Sequence, residues 1–249
     1  MPFTLVGWNE SQDTGGALTD VAFIPDQHVS YEGDKLHCPA LNQILGLTAL
    51  GATITQARLI SPSLKLPAYI DIAPLHVAAE PVSPAYILDN FESPIPLVVT
   101  ENVGAQVAEG ATGAEYETVL AWLGDGPVTP AKLPFRTVRA TGSTTLSAYA
   151  WTPVTITLSQ DLAPGNYNIL GLKAISTGAI AARFVIPNYQ WRPGVLACDN
   201  IGDIDVQRFR FGNAGIMGVL NVPQLPQIEM LSVSADTSET FYIDLAGPV

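Results

Sequence analysis

At 249 residues with 47% hydrophobic side chains, the chain can form one large all-β unit or two domains of roughly 120 residues, either with a real core. Its charged share is 14%, well under the roughly 25% of an average chain. Water must therefore be met by Ser, Thr, Asn, Gln and backbone groups, or some surface is covered by other chains. The net charge of −12 is carried entirely by residues up to Ala131, where 3 Lys and Arg face 15 Asp and Glu; from Lys132 onward there are 8 of each. An acidic half excludes nucleic-acid binding by counterion release.

Residues 1–35 hold short apolar pieces, Phe3–Val6 and Val21–Ile24, between polar clusters, and read as an extended arm or edge strands. The N-terminus lacks the basic start and long apolar run of a signal peptide. Cys38–Gly51 is the best helix candidate: Pro39 suits the first helical position, Leu41, Ile44, Leu45 and Leu50 recur near helical spacing, and Gly51 can end it, although Gly46 weakens it. Ala52–Ile60 alternates like a strand. Residues 61–96 carry Pro62, Pro67, Pro74, Pro81, Pro84, Pro94 and Pro96. Proline cannot donate to a ladder, so only edge strands and ordered loops are expected there. Leu97–Val103 and Tyr116–Leu123 are two further strand-like runs.

Gly124–Pro130 (GDGPVTP) is the expected boundary, giving an N-terminal β domain over 1–126, with its arm and proline-rich loops, and a C-terminal domain over 127–249. Phe135–Leu146 begins the second half as a strand. Trp151–Gly194 then reads as strand, turn, strand, turn, strand: Thr152–Ser159, a turn at Asp161–Asn166, Tyr167–Ile175, a turn at Ser176–Gly178, and Ala179–Ile186. Period-2 alternation bounded by Pro, Gly and Asn marks half-buried antiparallel strands. Gln207–Phe211 and the glycine-rich Gly212–Leu220 follow. Ile228–Ala235 and Thr240–Leu245 look like a closing pair of strands. About eight such runs over some 120 residues match a jelly-roll sandwich. No sequence repeat relates the two halves.

Chemistry is harder to find. His28, His37 and His76 lack the spacing of a metal site with a carboxylate. Asp199, Asp203 and Asp205 on one short loop are the weak calcium candidate, without the glutamate that closes an EF-hand. Cys38 and Cys198 are too few and too far apart for a disulfide framework and are expected as free thiols. There is no G-x-S-x-G, P-loop or H-E-x-x-H, and Gly212–Gly218 is not the dinucleotide fingerprint. Arg136 and Arg139 could share one face of a bulged strand, and Arg208 and Arg210 flank Phe209. Such residues suit ion pairs better than a nucleic-acid patch. Trp122, Trp151 and Trp191 sit at strand ends, where they could stack on a sugar or pack a core or subunit interface.

Trp151–Leu158 (WTPVTITL), Leu162–Gly171 (LAPGNYNILG), Ala181–Pro187 (AARFVIP), Arg192–Gly194 and Asp236–Leu245 (DTSETFYIDL) together resemble the coat jelly rolls of tailless icosahedral phages, especially the double jelly-roll major capsid proteins of membrane-containing phages. The resemblance covers roughly residues 116–249. It implies an all-β antiparallel fold of two jelly rolls in tandem with few short helices. It further implies a homotrimer with other capsid proteins as partners, an icosahedral shell around an internal virion membrane, a place in the virion after synthesis in the host cytoplasm, no cofactor and no catalysis. A β-sandwich binding module, carbohydrate-binding or adhesin-like, is the alternative.

Overall fold

The computed structural model describes residues 3–38, 40–65, 69–73, 75–77, 86–110 and 113–249. They form two compact units, one of residues 5–127 and one mainly of residues 128–249. Among the described residues there is no α-helix, only the 3-10 turns Pro62–Lys65 and Gln207–Phe209.

The first unit begins with β1 (Phe3–Gln12), β2 (Thr19–Val21), β3 (Ser30–Glu32), β4 (Lys35–His37), β5 (Gln43–Gly51) and β6 (Ile54–Ile60). It continues through β7 (Ile70–Asp71), β8 (His76–Val77), β9 (Leu88–Asp89), β10 (Ile95–Pro96), β11 (Gly104–Glu109) and β12 (Glu115–Gly124). One sheet runs β1-β12-β5-β10, with β8 and β9 also on β5; the other runs β2-β11-β6-β7, and β3 and β4 form a separate hairpin.

The second unit holds β13 (Arg136–Gly142), β14 (Thr152–Val154), β15 (Thr157–Leu158), β16 (Gly165–Ile175), β17 (Ala179–Val185), β18 (Gly194–Leu196), β19 (Gly218–Val222), β20 (Gln227–Ser232) and β21 (Glu239–Ala246). Its sheets run β15-β13-β21-β16-β19 and β14-β20-β17-β18.

The two units trace the same path. If the eight principal strands are counted along each chain segment, the first, eighth, third and sixth lie side by side in one sheet. The second, seventh, fourth and fifth lie side by side in the other. That interleaving is the jelly roll: apart from the consecutive fourth and fifth strands, neighbours within each sheet are not consecutive in the chain. The expected tandem fold is therefore present, and both halves carry the complete set of eight strands.

Alternation explains the second core. Val138 and Ala140 on β13, Leu172 and Ala174 on β16, and Phe241 and Ile243 on β21 are buried in cross-strand register. Ala182, Phe184, Ile228 and Met230 are buried on the other sheet. Each such large side chain contributes about 1.5–3 kcal/mol when removed from water. In the first unit β12 is buried on both faces: Val119, Leu120, Ala121 and Trp122 are all fully covered. Within the proline-rich stretch Tyr86 O accepts a hydrogen bond from Thr48 Oγ1 (2.6 Å), Leu88–Asp89 pairs with β5, and Phe91 is fully buried.

That burial overturns the helix expected over Cys38–Gly51. Gln43–Gly51 is β5, a central strand paired to β12 and β10. Buried on both faces, it shows an apolar run without period 2, and such a run cannot be told from a buried helix by spacing. Pro39, taken as the helical start, lies outside the described residues, as do Pro67, Pro74, Pro81 and Pro84.

Of the two readings of residues 1–35 the edge strand holds, since Phe3–Gln12 is a ten-residue strand at the margin of its sheet. Three other expectations need correction. Leu97–Asn102 is not a strand: Val98 and Val99 are about half exposed, and the ladder starts at Gly104. Thr152–Ser159 is broken into β14 and β15, which belong to different sheets; Pro153 is tolerated because β14 is an edge. Ile228–Ala235 and Thr240–Leu245 supply β20 and β21, but these lie in opposite sheets and do not pair.

Candidate functional site

The residues singled out for chemistry do not converge. Among the described residues no group of three or more His, Cys, Asp or Glu could hold a metal ion. Asp199, Asp203 and Asp205 are each engaged separately. The Asp199 carboxylate accepts from Gly178 N–H (2.5 Å). Asp203 accepts from the Asn200 backbone (3.1 Å) and side chain (2.9 Å). Asp205 pairs with Arg210 Nη1 (2.5 Å). His28 pairs with Asp26 (2.5 Å), whereas His37 and His76 lie on β4 and β8. Neither cysteine forms a disulfide; Cys198 is buried and Cys38 partly so.

Two buried charge clusters stand out in the second unit. Asp244 of β21 is fully buried. It points away from the alternating core positions of its strand, and residues 205–211 fold over it. Arg210 grips it with a two-pronged fork (Nε 2.8 Å, Nη2 3.0 Å), and Thr137 Oγ1 (2.7 Å) and Phe211 N–H (3.0 Å) also donate to it. Burial works to raise the Asp244 carboxyl, but Arg210, Thr137 and Phe211 outweigh it and hold it below the usual range. Arg210 also stacks on the Phe211 ring (4.6 Å). The cluster thus pins the loop that ends the calcium-candidate segment to the sheet.

The second cluster joins β17 to β20. Buried Arg183 donates Nε to Glu229 (2.7 Å), and its guanidinium lies 3.9 Å over the Trp151 ring. One face of Trp151 is therefore occupied from within, which leaves it less suited to stacking on a sugar. Trp122 is fully buried core. Arg136 and Arg139 do not share a face: β13 runs in unbroken register with β21, so residues three apart point to opposite sides.

In the first unit the buried carboxyls are Asp26, which pairs with His28, Glu109 on β11 and Glu117 on β12. Glu109 accepts from Thr14 N–H (3.2 Å) and Thr53 Oγ1 (3.4 Å). Both oxygens of Glu117 are buried without a hydrogen-bond partner. Burial, then the nearby Glu109 and Glu115, push the Glu117 carboxyl up to about 8. Neither residue stood out in the sequence, because a glutamate inside an alternating strand has the same letters whether it faces solvent or core.

The described surface carries apolar patches and polar grooves. In the second unit Leu133, Phe135, Ile201, Ile204, Phe211 and Ile216 are exposed, Ile204 to 77%, and the Phe135 and Phe211 rings stack at 5.6 Å. A groove of about 430 Å³ is lined by Ile186, Pro187, Tyr189, Val219 and Asn221. In the first unit a groove of about 660 Å³ is lined by Lys35, Ser61, Lys65, Tyr69 and Glu101. Glu101 is tied there to Ser61 Oγ (2.6 Å) and Ser63 N–H (2.8 Å), and Lys35 to Asp34 (2.9 Å) and Asp20 (3.2 Å). No helix among the described residues is long and apolar enough to cross a membrane.

No protein-family profile and no curated protein matches this sequence. Among solved structures, the chain is similar to the crystal structure of the major capsid protein P2 from bacteriophage PM2. The similarity spans 98% of this chain and 97% of that one, at 11% identity and a TM-score of 0.28.

Proposed function

We propose that this chain is a structural subunit of a viral shell that assembles with copies of itself. The observation that carries the reading is the same eight-strand jelly-roll path run twice in one chain. Three such chains around an axis present six similar sandwiches, so a trimer can occupy a six-neighbour position in a closed shell. The composition supports this. A second half of zero net charge with exposed Phe135, Phe211 and Ile204 suits walls that neighbours cover, since burying charged side chains is costly. The acidic first half suits a solvated face, where repulsion limits non-specific sticking.

In this reading the chain is a homotrimer within an icosahedral virion, assembled beside other capsid proteins and an internal membrane, and it performs no catalysis. Light scattering on the purified protein at micromolar concentration tests the assembly directly. A mass of three chains or more is expected. A single species at the 26.4 kDa of one chain would refute the reading.

A further inference from the structure

We propose that one end of the first jelly roll is locked by a proton on the Glu117 side chain, buried beside Glu109, and that loss of this proton loosens the ends of β5, β11 and β12. The lock concerns this unit alone and does not rest on the shell reading.

The geometry carries the inference. Glu117 has no exposed surface, and neither of its carboxyl oxygens has a hydrogen-bond partner. An ionised carboxylate so placed lacks both water and donors, the costliest arrangement for a charge. Its cross-strand partner is Gly51 on β5. A Cβ there would lie 1.7 Å from Glu117 Oε2, so the absence of a side chain at 51 is what makes room for the carboxyl.

The neighbours leave the proton where it is. Glu109 ends β11 in the opposite sheet and is itself fully buried; its own acceptors are taken by Thr14 and Thr53. Glu115 lies two residues earlier on β12. Both oppose a negative charge on Glu117. β5 carries no titratable side chain along Gln43–Gly51. On β1, Asn9 donates its amide to the Glu117 backbone carbonyl (3.3 Å), and Glu10 accepts from Ala22 N–H (3.0 Å). On β6, Arg58 is turned to Gln106 (2.8 Å). No cation among the described residues is found at the site.

The second unit repeats the arrangement in muted form. Glu239, at the start of β21, is almost fully buried and sits opposite Gly142 of β13. One of its oxygens accepts from Thr144 N–H (3.2 Å) and the other has no partner. In both rolls a buried carboxyl near the start of the last strand therefore faces a glycine across the ladder. Only in the first are both oxygens unpartnered.

The direction of the pH response follows. Glu117 holds its proton in the folded chain up to about 8 and releases it near the ordinary 4.5 once unfolded. The contribution of Glu117 to the stability of the first unit is then fully present below about 4.5 and is lost as pH rises toward 8, by up to about tenfold in the folding constant per pH unit.

The test compares wild type with Glu117→Gln, which is isosteric and cannot ionise. Urea midpoints are measured from pH 5 to 9, with hydrogen exchange of the β11–β12 amides at pH 6 and 8.5. Wild type is expected to lose stability across this window relative to the variant. It should also exchange faster at these amides at pH 8.5 but not at pH 6. Parallel pH profiles for the two proteins would overturn the lock. So would stabilisation of wild type, but not the variant, by millimolar calcium at pH 8, since the carboxyl would then be a cation ligand. Either result leaves the oligomeric mass, and so the shell reading, untouched.

Discussion

Replacing Arg210 with Met removes three of the contacts that organise the outer face of the second jelly roll. Asp244, with no exposed surface, would keep only Thr137 Oγ1 at 2.7 Å and Phe211 N–H at 3.0 Å, having lost both prongs of the guanidinium. Stripping one partner from a buried ion pair costs about 3–5 kcal/mol, because the other charge stays buried and uncompensated. Asp205 is less affected, since it is partly solvated. The cost should fall on the second unit alone. It is read from denaturant unfolding with a probe in each unit, because a two-unit chain need not unfold in one step. Arg210→Met combined with Asp244→Leu should recover most of the loss, since an apolar pair of similar volume needs no compensation. The pH dependence adds a check. Asp244 is held below its ordinary 3.8, so the stability it contributes is present above that value and lost as pH falls below it. The double variant should lose less stability on that acid limb than wild type. A single-variant cost below about 1 kcal/mol would mean that the cluster does not pin the 205–211 segment to the sheet.

Gly51→Ala should destabilise the first unit by at least about 1–3 kcal/mol, since the added methyl overlaps the Glu117 carboxyl; thermal melts would show it, with relief when Glu117 is also replaced by Ala. Phe135→Ser with Ile204→Ser, at positions exposed by 43% and 77%, should change folding stability by no more than about 0.5 kcal/mol each yet lower the oligomer mass in sedimentation. An unchanged mass would remove this patch from the subunit contact. Burial pushes the Cys38 thiol up to about 11, and Cys198 is covered. Thiol reagents at pH 7.5 should therefore label both slowly in the native chain and rapidly in urea.

Much of the architecture was legible because turn residues punctuate it. Tyr167–Ile175 and Ala179–Ile186 are bounded by Gly, Pro and Asn and became β16 and β17, although Ala179–Phe184 are buried on both faces. The path between strands was less legible. β20 and β21 are adjacent in sequence and alike in pattern, yet they belong to opposite sheets; alternation reports which residues face inward but not which ladder a strand joins. β5 was misread because coverage on both faces erased its period. The buried charge networks were invisible for a related reason. Asp244 sits beside Ile243 and Leu245, and only the segment 205–211 folding over that face reveals that its carboxylate meets Arg210. At the calcium candidate the three aspartates close in sequence turn to three different partners, which spacing alone does not reveal.

Negative-stain imaging of the purified protein is the most direct measurement of whether tandem jelly rolls here serve a shell. The expected result is a field of uniform six-lobed particles or closed shells. Isolated two-lobed particles, one chain each, across the micromolar range would contradict it.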